Sequence, residues 1–246
     1  MRSEPVLALI TGAFGGLGTE VANILEAAGH QVIRLGRADA DLSTMESVSL
    51  LIARLRSRQP IDLLINNAAT AGRHGMTIDG FEPAFAVNYL SHFLITKALI
   101  WPRARVVNVT SEAHRSAPSI DPHQGLGRAR SLLGWKEYAF SKACQVAFTF
   151  GLASRGVDAY SVHPGVVATG LWRPLPQPLR WMMTRRMAPA AVGAIPIVRA
   201  ALDRNLEAGA YVTPSGIVEP SSVASDPKAI AHLWDQTERW VSPYLP

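Results

Sequence analysis

Two side chains four residues apart, Tyr138 and Lys142, form the pair in this sequence best suited to acid–base chemistry. On a helix, the i and i+4 spacing places both on one face. A phenol with a pKa near ~10 is a poor acid or base at neutral pH, but a neighbouring ammonium favours the phenolate and brings it into range for proton transfer. The pair therefore predicts a proton-transfer site, with an ordinary helix-surface pair as the alternative.

A hydroxyl group, that of Ser111, follows the predicted strand Arg105–Thr110 and can assist such a reaction. It can hydrogen-bond a substrate oxygen that gains or loses charge. A serine at the end of a strand is also a common helix cap, so Ser111 alone does not indicate catalysis. Its position between a glycine-rich turn and the Tyr138 segment favours the catalytic interpretation.

The glycine-rich turn, TGAFGGLG at residues 11–18, follows the predicted strand Val6–Ile10 and opens a predicted helix. Its glycines Gly12, Gly16 and Gly18 allow a tight turn, close approach of the backbone to a pyrophosphate, and close packing of the helix on the strand. The helix N-terminus then offers free N–H groups and the positive end of its dipole. Because the strand and the helix both match, the turn predicts dinucleotide binding rather than an ordinary strand-to-helix connection.

The end of the second predicted strand, Gln31–Leu35, bears on the choice between the two nicotinamide cofactors. Gly36 leaves the usual acidic position empty, and the Arg37 guanidinium can form a forked contact with a 2′-phosphate. Asp39 is the rival, because it lies at about the ~20-residue spacing after the glycine turn at which an acidic residue reads a ribose. The pattern favours NADP(H), with NAD(H) as the open alternative.

Apolar runs of strand length alternate with helix-like stretches, which predicts a single α/β domain over residues 1–246 with a doubly wound parallel sheet. Two irregular stretches, Glu112–Lys136 and Leu171–Pro189, are expected at the ligand-binding edge of that sheet. The second indicates a substrate loop at about residues 171–195. The predicted strands are Val6–Ile10, Gln31–Leu35, Ile61–Ile65, Arg105–Thr110, Val157–Val162 and Ala210–Thr213, and the predicted helices are Thr19–Ala28, Met45–Arg56, Phe85–Leu99 and Tyr138–Ser154.

The composition, 246 residues with 48% apolar and 17% charged, is that of a packed globular chain. A single cysteine, Cys144, excludes an intramolecular disulfide framework, and the absence of zinc-site spacing predicts no metal. The net charge of +5 is scattered, and its densest part, Arg173–Arg186, lacks a nucleic-acid-binding motif, so no nucleic-acid partner is expected. The short apolar start and the lack of an apolar run of ~18 residues predict no signal peptide, no transmembrane segment and a cytoplasmic location.

Six motifs occur in order along the chain, and they resemble, in order and spacing, the motif series of the short-chain dehydrogenase/reductase family. The resemblance covers nearly the whole chain and implies a Rossmann-type fold, a nicotinamide cofactor and a small-molecule substrate. The segments VNYLSHFLITKAL at 87–99 and SEAHR at 111–115, the long stretch before Tyr138 and the closing LWD at 233–235 resemble the retinol-dehydrogenase-like subgroup. The motifs are TGAFGGLG at 11–18, Asn66-Asn67-Ala68-Ala69, Val87-Asn88-Tyr89, Val109-Thr110-Ser111, YAFSK at 138–142 and His163-Pro164-Gly165.

The resemblance also implies roles for single residues. Tyr138 would be the acid/base, Lys142 would lower the pKa of Tyr138 and hold the nicotinamide ribose, and Ser111 would orient the carbonyl or hydroxyl. Asn88 would support a water relay to Lys142. Asp41 and Leu42 would flank the adenine, Asn67 and Ala68 would line the cofactor, and Thr169 would hold the carboxamide. The residues assigned in all to cofactor binding are Thr11, Gly12, Phe14, Gly15, Gly16, Leu17, Gly18, Arg37, Asp41, Leu42, Asn67, Ala68, Ala69, Tyr138, Lys142, Pro164, Gly165, Val167 and Thr169.

Some positions depart from the family pattern. Ala69 stands where the family has glycine, and Phe14 is bulky for a glycine turn. Gly15 occupies a position where NADP(H)-preferring members often carry a basic residue. The segment between Arg37 and Asp41 is short, as though a helix and part of a strand were missing. These departures bear on the adenine end of the cofactor and on the choice of cofactor.

The motifs together predict an NADP(H)-dependent oxidoreductase that interconverts a carbonyl and an alcohol on a mostly apolar small molecule. The alternative is the same fold used as a non-redox tailoring enzyme, or as a nucleotide-binding sensor or scaffold. A homo-oligomer that associates through the helices after Asn88 and at Tyr138 is a family-level expectation.

Overall fold

A computed structural model describes residues 4–57, 60–72, 75–100, 104–128, 131, 134–167 and 187–246. The strands are β1 Leu7–Thr11, β2 Gln31–Leu35, β3 Leu63–Asn66, β4 Arg105–Val109, β5 Ala159–Val162, β6 Tyr211–Thr213 and β7 Gly216–Ile217. The α-helices are α1 Gly16–Ala27, α2 Met45–Arg56, α3 at 83–99, α4 Trp135–Ala153, α5 Ala190–Leu202, α6 Ser222–Ser225 and α7 Pro227–Val241. Short 3₁₀ helices lie at Glu112–Ser116, Pro122–Gly125 and Ser242–Tyr244.

The strands form one sheet in the order β2-β1-β3-β4-β5-β6-β7. All neighbouring pairs are parallel except β6 and β7, which form an antiparallel pair. The order reverses at β1, because β2 lies on one side of it and β3 on the other. In an open α/β sheet, ligands bind at the carboxyl ends of the strands beside such a reversal. The doubly wound Rossmann-type fold predicted from the sequence is confirmed.

Alternate residues of the central strands bury into two apolar layers, as the pleat of a strand requires. On β1, Leu9 packs toward α2, α3, α4 and α7, whereas Ala8 and Ile10 pack toward α1 and α5. All three side chains are completely buried. Burial on both faces explains why these strands read as continuous apolar runs in the sequence.

Among the described residues the sheet ends at β2. In the usual doubly wound order a further strand pairs beyond the second one, so this side of the sheet has one strand fewer. Residues 36–44, which connect β2 to α2, contain neither a strand nor a helix. They fold as turns, with the backbone N–H groups of Asp39 and Ala40 donating to the Gly36 carbonyl at 3.1 and 3.4 Å. The short segment noted after Arg37 therefore corresponds to a missing helix and strand, and β2 forms the edge of the sheet among the described residues.

Helix α3 changes its hydrogen-bond pattern in the middle. Two α-helical segments, Pro83–Phe85 and Ser91–Leu99, flank a π-helical turn, Ala86–Leu90. The turn carries Asn88, whose side chain is completely buried. Single π-helical turns within α-helices are frequent at functional sites.

The outer face of α3 and α4 is covered by α7. The Trp234 ring lies with its centroid 4.8 Å from that of Phe93 on α3. On α4, a Cβ added at Gly151 would meet the Trp234 ring at 2.8 Å, so the indole packs directly on the α4 backbone. These are the helices through which the sequence predicted self-association, and that oligomer stays a prediction.

Several boundaries of helices and loops in the structure differ from those predicted. Helix α4 begins at Trp135, three residues before the predicted start, after Gly134 in the left-handed region at φ 66°. The region expected as a substrate loop at 171–195 ends in helix, because α5 begins at Ala190. Its earlier part, 171–186, lies outside the described residues, as does Thr169.

Candidate active site

A cavity of about 680 Å³ opens at the carboxyl edge of the sheet, beside the reversal of strand order. Most of the predicted site residues line it. Three of them, Phe14, Gly18 and Asn88, do not line the cavity but lie next to residues that do. The predicted residues that line the cavity are Thr11, Gly12, Gly15, Gly16, Leu17, Arg37, Asp41, Leu42, Asn67, Ala68, Ala69, Ser111, Tyr138, Lys142, Pro164, Gly165 and Val167.

The glycine turn has the shape that a dinucleotide phosphate needs. Gly12 adopts a φ of +67°, and a Cβ there would meet the Ala68 Cα at 2.9 Å. A Cβ at Gly18 would meet the Gly12 carbonyl oxygen at 2.2 Å, so α1 packs directly against the turn. No side chain caps the N-terminus of α1 at Gly15. Bare backbone and an uncapped helix N-terminus fit the pyrophosphate of a nicotinamide dinucleotide.

The adenine end, residues 36–42, lines the cavity through Gly36, Arg37, Ala40, Asp41 and Leu42. Arg37 is exposed, and among the described residues no hydrogen bond or ion pair holds its guanidinium. Asp39 differs, because its Oδ2 accepts from the Gly36 N–H at 2.8 Å. The carboxylate of Asp41 accepts from the N–H and the hydroxyl of Ser43 at 2.9 and 2.7 Å. Phe14 lies against Gly36, where a Cβ would meet its ring at 2.6 Å.

Ala69, which replaces the family's glycine, is exposed and lines the cavity. The neighbouring backbone is fixed to the glycine turn. The N–H groups of Asn67 and Ala68 both donate to the Thr11 Oγ1 at 3.0 Å. The Asn67 side-chain amide donates to the Thr11 carbonyl at 2.8 Å. The methyl group of Ala69 therefore stands at the cavity wall, next to backbone that these hydrogen bonds hold in place.

The structure brings Ser111, Tyr138 and Lys142 to one wall of the cavity. Ser111 lies two residues after β4 and caps a 3₁₀ helix, its Oγ accepting from the Ala113 N–H at 3.2 Å. Its hydroxyl is hydrogen-bonded to the Tyr138 phenol. The Lys142 Nζ lies 5.6 Å from the centroid of the Tyr138 ring. The three groups predicted from sequence order alone are therefore neighbours in the fold.

Burial is the largest cause of the shifted pKa values of both Tyr138 and Lys142. It raises the pKa of Tyr138 to about 12, against a smaller lowering by the hydrogen bond with Ser111. It lowers the pKa of Lys142 to about 7. At neutral pH Tyr138 is thus a protonated phenol, which is the form that can give a proton to a carbonyl oxygen.

Asn88 lies behind this wall. Its side-chain Oδ1 accepts from the Thr70 N–H at 2.8 Å, and its Nδ2 donates to the Thr70 carbonyl at 3.0 Å and to the Ser141 Oγ at 2.9 Å. These bonds tie the π-helical turn to α4 and to the loop after β3. The backbone carbonyl of Asn88 accepts from the His92 Nδ1. The water relay that the resemblance implies for Asn88 stays a prediction.

Sequence reasoning missed two buried side chains that complete this wall, His92 and Gln145. With Thr11, Asn88 and Lys142 they form a buried polar chain in which no residue is more than 2% exposed. Their signal in the sequence was helical spacing, since His92 lies four residues after Asn88 and Gln145 three after Lys142. Spacing shows that residues share a helix face, but not which atoms they join.

The tautomer of His92 follows from its neighbours. The Thr11 Oγ1 already accepts two backbone N–H groups, so its own hydrogen points to the His92 Nε2 at 3.0 Å. The His92 Nδ1 then carries the ring proton and donates it to the Asn88 carbonyl at 3.0 Å. Burial lowers the pKa of His92 to about 3, which keeps the ring neutral.

One cluster of side chains in the described residues has metal-ligand spacing. Asp121, His123 and His232 each place a ligand atom within 4.8 Å of the others, and all three are exposed. None of them lines the cavity. Nothing beyond this spacing points to a bound ion, and the expectation of no metal stays a prediction. Among the helices that the structure describes, none is long and apolar enough to cross a membrane.

A dinucleotide-sized cavity with a tyrosine, a lysine and a serine on one wall defines a nicotinamide-dependent oxidoreductase. Comparison with curated proteins gives the family, although no family model matches the chain. Mouse retinol dehydrogenase 12 is 33% identical over 267 residues, which cover 92% of this chain and 83% of the relative. Short-chain dehydrogenase/reductase prx1 of Penicillium roqueforti is 28% identical over 281 residues, covering 92% and 82%. The chain belongs to the short-chain dehydrogenase/reductase family.

Solved structures have the same fold. An uncharacterized protein from Mycobacterium paratuberculosis superposes with a TM-score of 0.75 at 28% identity, covering 98% of this chain and 95% of that one. A 3-alpha-hydroxysteroid dehydrogenase from Pseudomonas sp. B-0831, solved with NADH, gives a TM-score of 0.65 at 22% identity, covering 84% and 94%. The second shares the fold.

Proposed function

We propose that the protein is an NADP(H)-dependent oxidoreductase that interconverts a carbonyl and an alcohol on a mostly apolar small molecule, with Tyr138 as the acid/base. The observation that carries this is the gathering of Ser111, Tyr138 and Lys142 on the wall of the cavity that the glycine turn also lines. Where NADPH is abundant, reduction is the favoured direction, and Tyr138 as a protonated phenol can then give a proton to the substrate oxygen.

In the reducing direction, each residue acts on the oxygen of the substrate. When bound, NADPH supplies a hydride to the carbonyl carbon, which becomes the C–H of the alcohol as the cofactor is oxidised to NADP⁺. Tyr138 gives its phenolic proton to the carbonyl oxygen, which becomes a hydroxyl. Ser111 donates a hydrogen bond to the same oxygen. The Lys142 ammonium stabilises the phenolate left on Tyr138, which is then reprotonated from solvent.

The preference for NADP(H) is supported by the adenine end. The Arg37 guanidinium lines the cavity without a partner among the described residues and is available for a 2′-phosphate. The Asp39 carboxylate, the rival that would select NAD(H), is engaged with the Gly36 N–H. An exposed cation beside an occupied carboxylate favours the phosphorylated cofactor.

An apolar substrate is supported by the cavity wall next to Ser111 and Tyr138. Ala71, Ala113 and Trp135 line it there. The relatives are named for retinol, which is an apolar alcohol. A small apolar ketone, aldehyde or alcohol is therefore the proposed substrate class, and a cytoplasmic location stays a prediction from the sequence.

The test is turnover by the purified protein with NADPH or NADH across a panel of apolar ketones and aldehydes, followed by cofactor fluorescence. We expect NADPH oxidation that falls by roughly 10²–10⁴-fold in Tyr138→Phe. The matched control is Tyr160→Phe, which removes the hydroxyl of an equally buried tyrosine that donates to the Leu206 carbonyl. It should retain turnover.

Two outcomes would overturn the proposal. Equal turnover by wild type and Tyr138→Phe would remove the acid/base role. Tight binding of NADPH without oxidation on the whole panel would instead support a non-redox tailoring enzyme or a nucleotide-binding sensor or scaffold.

A further inference from the structure

The buried side of Lys142 is held by two acceptors. Its Nζ donates to the Val109 carbonyl at 2.9 Å and to the Gln145 Oε1 at 2.7 Å. An ammonium has three N–H groups, so these two bonds leave one for the cavity that Lys142 lines. The side chain is only 2% exposed, and water therefore does not supply the acceptors that a charged amine needs.

The side-chain acceptor of Lys142, the Gln145 amide oxygen, carries no charge. Gln145 is completely buried, one turn after Lys142 on α4. A carboxylate in its place would pair with the ammonium and cancel its charge within the site. An amide oxygen stabilises the ammonium and leaves the positive charge to act on Tyr138.

Groups facing Lys142 from every element are uncharged. Tyr138 lies on the same helix, with its ring centroid 5.6 Å from the Nζ, and it is protonated at neutral pH. From α3 the facing titratable group is His92, which is neutral. From β4 the facing group is the Val109 carbonyl, which carries no charge and does not titrate. Burial is the only cause of the lowered pKa of Lys142, and among the described residues no carboxylate raises that pKa in opposition.

The end of Gln145 away from Lys142 faces His92. The Gln145 Nε2 lies 3.5 Å from the His92 Nδ1. Because that nitrogen donates its proton to the Asn88 carbonyl, it offers no lone pair to the amide. The contact between Gln145 and Lys142 at 2.7 Å is thus the one that fixes the amide. Through His92 the same wall reaches Thr11, at the start of the glycine turn.

We propose that Gln145 is a positioning residue, whose amide oxygen holds the Lys142 ammonium at the cavity wall and stabilises its charged form. The kinetic consequence rests on the proposed function, since the charge on Lys142 matters to turnover only if Tyr138 is the acid/base. The effect on Lys142 itself does not depend on turnover.

The direct test is the titration of Lys142 by NMR in protein labelled at the lysine Cε, with Lys142→Met to assign the resonance. Removal of a hydrogen bond to a charged group destabilises that charge, so Gln145→Leu should move the titration by about one pH unit to lower pH. Gln145→Glu adds a negative charge at the same place and should move it to higher pH. Unchanged titration in the variants would overturn the proposal.

The matched control is Thr149→Val, which removes a buried hydroxyl on the same helix that accepts from Asn108. It should leave the Lys142 titration in place. Where Gln145→Leu does not fold, as judged by circular dichroism, Gln145→Glu decides the question alone because it keeps the shape of the side chain. A shift equal to that of Thr149→Val would count against the proposal.

Turnover separates this proposal from the proposed function. With NADPH and an active ketone, the high-pH limb of kcat/KM should follow the Lys142 titration in each Gln145 variant. A moved titration without turnover in the wild type would sustain the positioning role and remove the proposed reaction. Turnover with an unmoved titration would do the opposite.

Discussion

The two ends of the cavity are built in opposite ways. The catalytic end rests on the buried polar side chains of Thr11, Asn88, His92, Gln145 and Lys142, each of which is held by hydrogen bonds within the fold. The adenine end, residues 36–42, is a set of turns at the edge of the sheet, in which Arg37 and Ala38 are exposed and Ala40 is buried. Substitutions at the first should change chemistry and folding together, whereas substitutions at the second should change only which cofactor binds.

The largest effect is expected at Lys142. Lys142→Met should lower turnover by roughly 10²–10⁴-fold, because the phenolate of Tyr138 loses its stabilising charge. The measurement is kcat/KM with NADPH, and Lys97→Met, a half-exposed lysine paired with Glu238 outside this cavity, is the control. Turnover within a few-fold of wild type would show that the catalytic end does not depend on this charge.

The same variant should change the pH dependence of stability. Burial lowers the pKa of Lys142 from 10.5 to about 7, so between these values the unfolded chain binds more protons than the folded one. The free energy of unfolding should therefore rise with pH, by about 2–3 kcal/mol between pH 7 and 9 from this group. Lys142→Met should remove that rise, as measured by urea unfolding at several pH values. Parallel curves for the two proteins would contradict it.

Gly18 tests the junction between the two ends. Gly18→Ala places a Cβ 2.2 Å from the Gly12 carbonyl oxygen and should push α1 away from the turn. We expect a loss of about 1–3 kcal/mol in the free energy of unfolding and weaker binding of NADPH. Gly15→Ala, which has nothing within 4 Å of the added Cβ, should change stability far less. Equal losses would indicate that the close packing at Gly18 is not the cause.

The smallest effect, on cofactor choice alone, is expected at Arg37. Arg37→Gln should weaken NADPH binding by about tenfold or more, the loss of a hydrogen bond between charged groups, and leave NADH binding nearly unchanged. Arg34→Gln removes the same charge from β2, but Arg34 is already paired with Glu26. Similar losses of NADPH binding in both variants would show that the effect comes from the overall charge of the protein and not from a contact made by Arg37.

The fold and the pairing of Tyr138 with Lys142 could be predicted because they depend on local order. Alternating apolar runs gave the strands, and the i, i+4 spacing placed Tyr138 beside Lys142. The buried polar chain could not be predicted, because the contact of His92 with Thr11 joins residues 81 positions apart. Its tautomer depends on two further N–H groups from the loop after β3.

At the adenine end, the sequence alone was insufficient for a different reason. The sequence revealed that the segment after Arg37 was short, but it left Asp39 as a rival for the ribose. Only the folded turn shows that the Asp39 carboxylate accepts from the Gly36 N–H. The π-helical turn at Asn88 could not be predicted either, because it depends on the tertiary contacts of Asn88 with Thr70 and Ser141.

A crystal structure with NADP⁺ and an alcohol product tests the central claim most directly. The account predicts that the product oxygen lies within hydrogen-bond distance, about 2.6–3.2 Å, of both the Tyr138 Oη and the Ser111 Oγ. It also predicts that the Lys142 Nζ meets the nicotinamide ribose and that Arg37 meets the 2′-phosphate. A nucleotide bound away from the glycine turn, or a product oxygen that touches neither hydroxyl, would contradict it.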